Sequence, residues 1–195
     1  MKRTLALILI LTMVFTLAAC GKKGGEETTA PNADVTNGTD ATDAAEATEA
    51  SYNGSLTDLI NALYQQVPVE FPVCDPTAVD LNDEFSLSNF TGLTDASLIT
   101  EAMYSEPMMG SQAYSLCAMR LAPGVDGEEV ADLVLGGVDP AKWICVSADN
   151  LRVGLYQDIL VLIMVSSSMS ETLADDMMKA FSTVVGSELD LILTK

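Results

Sequence analysis

The side chains that most often carry out chemistry in proteins are unevenly represented in this sequence. It contains no histidine, four cysteines, and 28 Asp and Glu residues against nine Lys and Arg. Without histidine there is no Ser-His or Cys-His nucleophile pair, no general base that titrates near neutral pH, and no imidazole ligand for zinc. The formal net charge of −19 argues against nucleic acid as a partner, because binding a phosphate backbone requires clustered cations. Thiols, thioethers and carboxylates remain as candidates.

The first cysteine, Cys20, follows an apolar N-terminal segment. Residues 2–3 are basic and residues 5–19 are almost all apolar. This order is typical of a secretory signal peptide, and about 16 apolar-rich residues are fewer than the roughly 20 needed to span a bilayer. The stretch 17–20, Leu-Ala-Ala-Cys, resembles a bacterial lipobox. The resemblance implies cleavage before Cys20 and attachment of lipid to its thiol and new amino group.

Lipidation of Cys20 sets the predicted organisation of the chain. We expect a lipoprotein signal peptide at 1–19, the lipidated Cys20 with a flexible acidic linker at 20–51, and a single globular domain at 52–195. The linker has Val35 as its only aliphatic residue larger than alanine, so it cannot bury enough apolar surface to offset its ordering entropy. A flexible chain of about 30 residues reaches on the order of 30 Å. The protein is therefore expected on the cell membrane, lipid-anchored and facing the exterior.

Three cysteines remain for the domain, in a compartment that permits disulfides. Cys117 and Cys145 lie in predicted strands and could be neighbours, whereas Cys74 lies in a loop-rich stretch. A disulfide requires Cα atoms roughly 4.4–6.8 Å apart. A disulfide between Cys117 and Cys145 and two small buried thiols are both compatible with the sequence. The absence of a C-x-x-C pair argues against a zinc or thioredoxin-like site.

Carboxylates cluster in the same loop-rich stretch. Residues 80–84, Asp-Leu-Asn-Asp-Glu, begin like a calcium loop, but Phe85 stands where the turn glycine belongs and Thr91 where the bidentate glutamate belongs. We therefore interpret this stretch as a solvated acidic surface. Paired carboxylates also hydrolyse glycosides, but one Trp and five Tyr offer few aromatic platforms for a sugar.

The sequence also contains ten methionines. Thioethers suit Cu(I), but most of these residues belong to the signal or to positions that face the core, where methionine fills gaps. Met108 and Met109 form a local pair beside Gly110, and we expect them to contribute, with Trp143, to a possible adaptable binding surface. No metal and no cofactor is predicted.

Hydrophobic periodicity predicts the elements that position these residues. In chain order they are a helix from residue 56 capped by Ser55, a loop-rich stretch at 73–92, a short helix opened by Thr94 and Asp95, a strand at 114–121, a helix capped by Asp126, strand candidates at 143–146, 151–156 and 159–165, and a helix after a Ser168–Glu171 capping box. Seven consecutive apolar residues at 159–165 indicate a central strand buried on both faces. The order α-α-β-α-β-β-α predicts an α+β domain, a small, largely antiparallel sheet with helices packed on one face.

Several of these features occur together in one known kind of domain. They are Met108-Met109 before the first strand, the helix end Val138-Asp139-Pro140, the Lys142-Trp143 pair, and the 159–165 strand followed by an acidic helix. With them, the stretch 114–185 resembles a domain of unknown function found in small lipoproteins of Gram-positive anaerobic bacteria. The resemblance implies a lipid-anchored extracellular domain and brings no catalytic residue to any position of this chain.

We therefore expect a domain without enzymatic activity that binds a protein, a peptide or an envelope component. Residues 52–195 carry five basic and 21 acidic side chains, so a protein partner should be basic where it touches this domain. One alternative is an acidic lipoprotein that sequesters cations or small ligands. Another is a carboxylate-dependent hydrolase, which would require two acidic side chains that converge in one pocket.

Overall fold

The computed structural model describes residues 52–195. The predicted signal peptide, Cys20 and the linker lie outside the described residues. The helices and strands are α1 (Leu56–Gln66), β1 (Thr77–Ala78), α2 (Glu84–Thr91), β2 (Ile99–Ser105), β3 (Tyr114–Leu121), α3 (Gly127–Gly137), β4 (Asn150–Tyr156), β5 (Ile159–Val165), α4 (Leu173–Val185) and β6 (Leu191–Thr194). Among these residues, no helix has the length and apolar character needed to cross a membrane.

The six strands form one sheet in the order β1-β2-β3-β5-β4-β6, and each neighbouring pair is antiparallel. Strand β5 lies between β3 and β4, and all seven of its residues are buried. The prediction of a central strand buried on both faces is confirmed. The α+β class, the antiparallel sheet and the packing of helices on it are also confirmed.

The helices cover both faces of the sheet, which corrects the expectation that all of them lie on one face. Leu160, Leu162 and Met164 of β5 belong to a core shared with α2 and α3, whereas Ile159, Val161, Ile163 and Val165 belong to a core shared with α1 and α4. A strand that is apolar at every position exposes half of its side chains to water unless both faces are covered. Helices α2 and α3 therefore pack on one face of the sheet, and α1 and α4 pack on the other.

The prediction of a short α-helix after Thr94 is wrong. Asp95 does cap a turn, accepting a hydrogen bond from the backbone N–H of Ser97 at 2.9 Å, but the turn is a single 3-10 turn at Ala96–Leu98. The chain then continues as β2, which pairs with β3 along its length. Pairing with an apolar neighbour outweighed the local helical pattern.

The strand predicted at 143–146 is also wrong, because this stretch is a surface loop. Ile144 is 73% exposed, and Cys145 has a backbone φ of 61°. Both positions beside β5 are taken by β3 and β4, so the 143–146 stretch has no strand to pair with there. In contrast, α2 forms within the stretch that was predicted to be loop-rich, and β6 was not predicted.

Two predicted helix caps are present and one is displaced. The Ser55 hydroxyl accepts from the backbone N–H of Asp58 at 3.0 Å, and a carboxylate oxygen of Asp126 accepts from the first turn of α3. The capping box at Ser168 and Glu171 does not form. Helix α4 begins at Leu173, whose backbone N–H donates to the hydroxyl of Ser170 at 3.2 Å.

Candidate functional site

Two loops bring exposed apolar side chains together at one end of the sheet. The loop after β2 carries Met108 and Met109, which are 83% and 58% exposed, and the loop after α3 carries the exposed Ile144. The backbone N–H of Ile144 donates to the carbonyl oxygen of Gly110 at 2.9 Å, which joins the two loops. We call Met108, Met109 and Ile144 the apolar tip. The predicted Trp143 is half-buried and packs against the core beneath the loop.

Sequence reasoning missed Ile144, because the apolar run 143–146 was interpreted as a strand. In a strand, Ile144 would have been assigned to the core. Its exposure follows from the loop, which begins at the Asp139-Pro140 signal, where the carboxylate of Asp139 accepts from the backbone N–H of Ala141 at 2.8 Å.

A buried ion pair braces the two loops from below. Lys142 Nζ lies 2.6 Å from Glu106 Oε1, and the two side chains are only 6% and 17% exposed. Nζ also donates to the carbonyl oxygen of Asn89 at 2.8 Å, which connects the pair to α2. Because Glu106 precedes the methionines and Lys142 precedes Ile144, the ion pair holds both halves of the apolar tip in place.

Aromatic rings enclose the lysine. Its Nζ lies 5.0 Å from the ring centroid of Phe90 and 5.3 Å from that of Trp143, distances at which an ammonium is attracted to the face of a ring. The ring of Phe90 stacks on Tyr104 of β2 with centroids 3.7 Å apart. Trp143 therefore supports the apolar tip as packing around Lys142.

The fold also brings a serine close to this lysine. Lys142 Nζ lies 3.4 Å from Ser115 Oγ, although the two residues are 27 positions apart and share no sequence motif. A Ser-Lys pair acts as a nucleophile only when the amine accepts the hydroxyl proton. Here Nζ is held as a cation in an ion pair with a carboxylate and donates to a carbonyl, and Ser115 is fully buried. The arrangement is suited to positioning the loops and is poorly suited to nucleophilic attack.

A chain of hydrogen bonds links hydroxyl groups on the other side of β2. Tyr114 donates to Tyr64 at 3.1 Å, Tyr64 donates to Ser105 at 2.9 Å, and Ser105 donates to the carbonyl oxygen of Cys74 at 2.7 Å. Burial raises the pKa of both tyrosines, and that of Tyr114 well above its ordinary value. The phenols are thus neutral donors that end at a backbone acceptor, so this chain ties α1 to β2 and β3.

The three cysteines of the described domain are free thiols, so Cys117 and Cys145 do not form a disulfide. Cys117 is buried in the centre of β3, and its burial raises the pKa of the thiol to about 12. Cys145 is exposed on the loop of the apolar tip, so the alternative of two small buried thiols holds only for Cys117.

Carboxylates of the calcium-like stretch accept hydrogen bonds from backbone N–H groups two or three residues further along the chain. Asp80 accepts a hydrogen bond from the backbone N–H of Asn82 at 2.9 Å, and Asp83 caps α2 by accepting from that of Ser86 at 2.6 Å. Within residues 52–195, no group of three or more Cys, Asp or Glu side chains is arranged to hold a metal ion.

All five cations of the described domain have partners within it. Arg120 pairs with Glu101 and Asp158, and Lys142, Arg152 and Lys179 pair with Glu106, Asp175 and Asp176. Lys195 donates to the carbonyl oxygen of Leu135 at 3.3 Å. Because only five of the 21 carboxylates take part in these ion pairs, the surface of the described domain is strongly acidic.

We compared the chain with models of known protein families, with curated proteins and with solved structures, and none of the three comparisons gave a match.

Proposed function

We propose that this protein is a lipid-anchored extracellular binding module without enzymatic activity, and that its apolar tip contacts a protein partner. The observation that carries this proposal is the apolar tip itself, in which three large apolar side chains are exposed on two loops that the hydrogen bond between Ile144 and Gly110 joins. Apolar side chains that are exposed as a group are typical of interaction sites, whereas single ones are ordinary.

The brace beneath the apolar tip supports a binding role. A loop that is already held in its bound conformation loses less conformational entropy when a partner binds, which favours affinity. The buried pair of Lys142 and Glu106, with the backbone hydrogen bond between Ile144 and Gly110, provides this preorganisation. Methionine at the contact suits a surface that adapts to its partner, because the side chain is flexible and polarisable.

Charge defines the chemistry of the partner. Sixteen of the 21 carboxylates in the described domain lie outside the ion pairs, so the surface repels anions and attracts cations within a Debye length of roughly 8 Å. A partner with an apolar contact and a basic surround meets both features. The lipid on Cys20 would hold the domain at the outer face of the membrane, within reach of such a partner.

A photocrosslinking experiment on intact cells tests the proposal. A photoreactive amino acid replaces Met108 in the full chain, and a matched control carries it at the exposed Glu128 on α3. We expect one dominant protein adduct from position 108 that is absent from position 128. The additional substitution Ile144→Asp should abolish this adduct, because it places a charge in the apolar tip. Equal adducts from both positions, or adducts to lipid only, would contradict the proposal.

A further inference from the structure

A second surface lies along β6, which is the last strand in the order of the sheet and therefore forms one of its edges. Strand β6 pairs with β4 through Arg152–Leu155 on one side, and no strand formed by residues 52–195 lies on its other side. Leu151 and Lys195 exchange both backbone hydrogen bonds, at 3.1 and 3.2 Å. Because bonded positions alternate along an antiparallel pair, Ile192 and Thr194 direct their backbone N–H and C=O groups to the open edge.

A groove adjoins this open edge. It has a volume of about 630 Å³, lies between α4 and β6, and has an apolar floor of Met178, Leu189 and Ile192. Ile192 is 50% exposed, so the edge strand presents an apolar side chain together with unpaired backbone groups. Natural edge strands are usually protected by charge, proline or a covering segment, because an open edge is a template for another strand.

We propose that this edge binds an extended peptide segment of a partner, in which apolar and basic side chains alternate, by adding it to the sheet beside β6. The backbone of the segment would pair with Ile192 and Thr194, and every second side chain would lie over the groove. This inference concerns a surface separate from the apolar tip and does not depend on its proposed role.

The negative charge of the domain determines which kind of segment can bind at the β6 edge. On the rim of the groove, Asp175 is paired with Arg152 and Lys179 with Asp176, while Glu188 lies outside the ion pairs of the domain. With the domain at five cations against 21 acids, a second copy of this chain would be repelled. The linker would also be repelled, since residues 21–50 contain seven acids and two lysines. A segment with basic side chains is attracted.

Fluorescence anisotropy tests the inference with a defined probe and the full chain purified in detergent. The probe is a labelled nine-residue peptide of alternating lysine and valine with blocked ends. We expect saturable binding that weakens at least tenfold when alternate amides of the peptide are N-methylated, because methylation removes the donors that pair with the edge. Replacing the lysines with glutamates should abolish binding.

Two protein variants locate the site. Thr194→Pro removes an N–H that faces the open edge without removing a bond to β4, and Ile192→Lys places a charge at the groove. Both should weaken binding at least tenfold, whereas the matched control Phe85→Lys, at an exposed apolar residue of α2 outside both proposed sites, should leave it unchanged. Equal binding of the N-methylated peptide, or a dimer of this chain that Ile192→Lys dissolves in sedimentation, would overturn the inference. The N-methyl comparison uses the unaltered protein, so it holds even if a variant fails to fold.

Discussion

At the scale of single residues, the feature with the largest consequences is the buried pair of Lys142 and Glu106. Two charges removed from water are costly, and their attraction compensates only when both are present and hydrogen-bonded. The carbonyl oxygen of Asn89 and the ring of Phe90 complete the surroundings of the ammonium. The pair therefore makes the position of the apolar tip depend on two side chains that do not belong to the exposed surface.

Removing one partner of this pair should destabilise the protein. We expect Lys142→Met to lower the free energy of unfolding by about 3 kcal/mol or more, because it leaves the Glu106 carboxylate buried without its cation. The double variant Lys142→Met with Glu106→Gln should recover a large part of that loss. Urea unfolding measures both effects, and Lys179→Met, which breaks an exposed pair, is the control and should change little. Additive losses in the double variant would show that the two side chains are not coupled.

The thiol of Cys117 should make the stability of the domain fall at alkaline pH. Burial raises the pKa of this thiol from 9.0 to about 12, so between these values the unfolded chain releases a proton that the folded domain retains. The free energy of unfolding therefore decreases as pH rises through this range, by up to about 1.4 kcal/mol per pH unit for one group. Tyr64 and Tyr114 act in the same direction, because their pKa values are also raised by burial.

Denaturant unfolding at several pH values between 9 and 12 checks this expectation. Cys117→Ala should reduce the steepness of the decline even though the smaller side chain lowers stability at every pH. Cys145→Ala is the matched control, since that thiol is exposed in the folded domain. An identical pH dependence in the Cys117 variant and the control would contradict the argument.

At the scale of elements, the ends of α2 and α3 meet with almost no space between them. Gly92 ends α2 with a φ of 75°, and a β-carbon there would lie 2.6 Å from the carbonyl oxygen of Val134. A β-carbon at Gly137, the last residue of α3, would overlap the carbonyl oxygen of Gly92. The two glycines therefore let the helices that cover one face of the sheet approach at their C-terminal ends.

Gly136 and Gly137 provide a matched test of this contact, because they are neighbours in α3. We expect Gly137→Ala to lower the free energy of unfolding by about 1–3 kcal/mol, since the backbone at Gly92 must move away. Gly136→Ala should be neutral or stabilising by up to about 1 kcal/mol, because nothing lies within 4 Å of the added carbon and alanine favours a helix. Thermal unfolding of the two variants measures the difference, and similar losses would show that the close approach is unimportant.

Some elements were predicted correctly from local sequence signals, and others were not. The Ser55 cap and the apolar face of α1 are local signals, and both predict the helix correctly. The predictions for the stretches that form strand β2 and the 143–146 loop were wrong, because the conformations of these stretches depend on which neighbours are available in the sheet. A segment becomes a strand only if another strand is free to pair with it, and this is a property of the assembled fold.

At the scale of the whole molecule, the acidity of the domain and the proposed lipid anchor would act together. The domain repels anionic surfaces at short range, and the proposed lipid on Cys20 would keep it near the membrane despite that repulsion. All five cations of residues 52–195 are engaged within the fold, so the acidity is directed outward. A partner with basic surfaces is consistent with both proposed contact sites.

Metabolic labelling tests the anchor directly. When the full chain is produced in a bacterium supplied with a labelled fatty acid, we expect label in the protein and recovery of the protein with the membrane fraction. Cys20→Ser should abolish the label and release the protein, because serine lacks the thiol that accepts the lipid. Cys145→Ser, which alters an exposed thiol of the domain, should change neither result. Label that persists in the Cys20 variant would exclude the proposed attachment.

The sequence by itself determined the features that depend on composition and local periodicity. These are the acidity of the chain, the lack of histidine chemistry, the helix caps at Ser55 and Asp126, and the central strand β5. The tertiary structure alone decided the placement of helices on both faces, the pairing of Lys142 with Glu106, and the joining of Ile144 to the two methionines. The physical reason is the distance along the chain over which each kind of interaction acts. Caps and periodicity act over a few residues, whereas the apolar tip and its brace require loops more than thirty residues apart to meet, and only the assembled sheet brings them together.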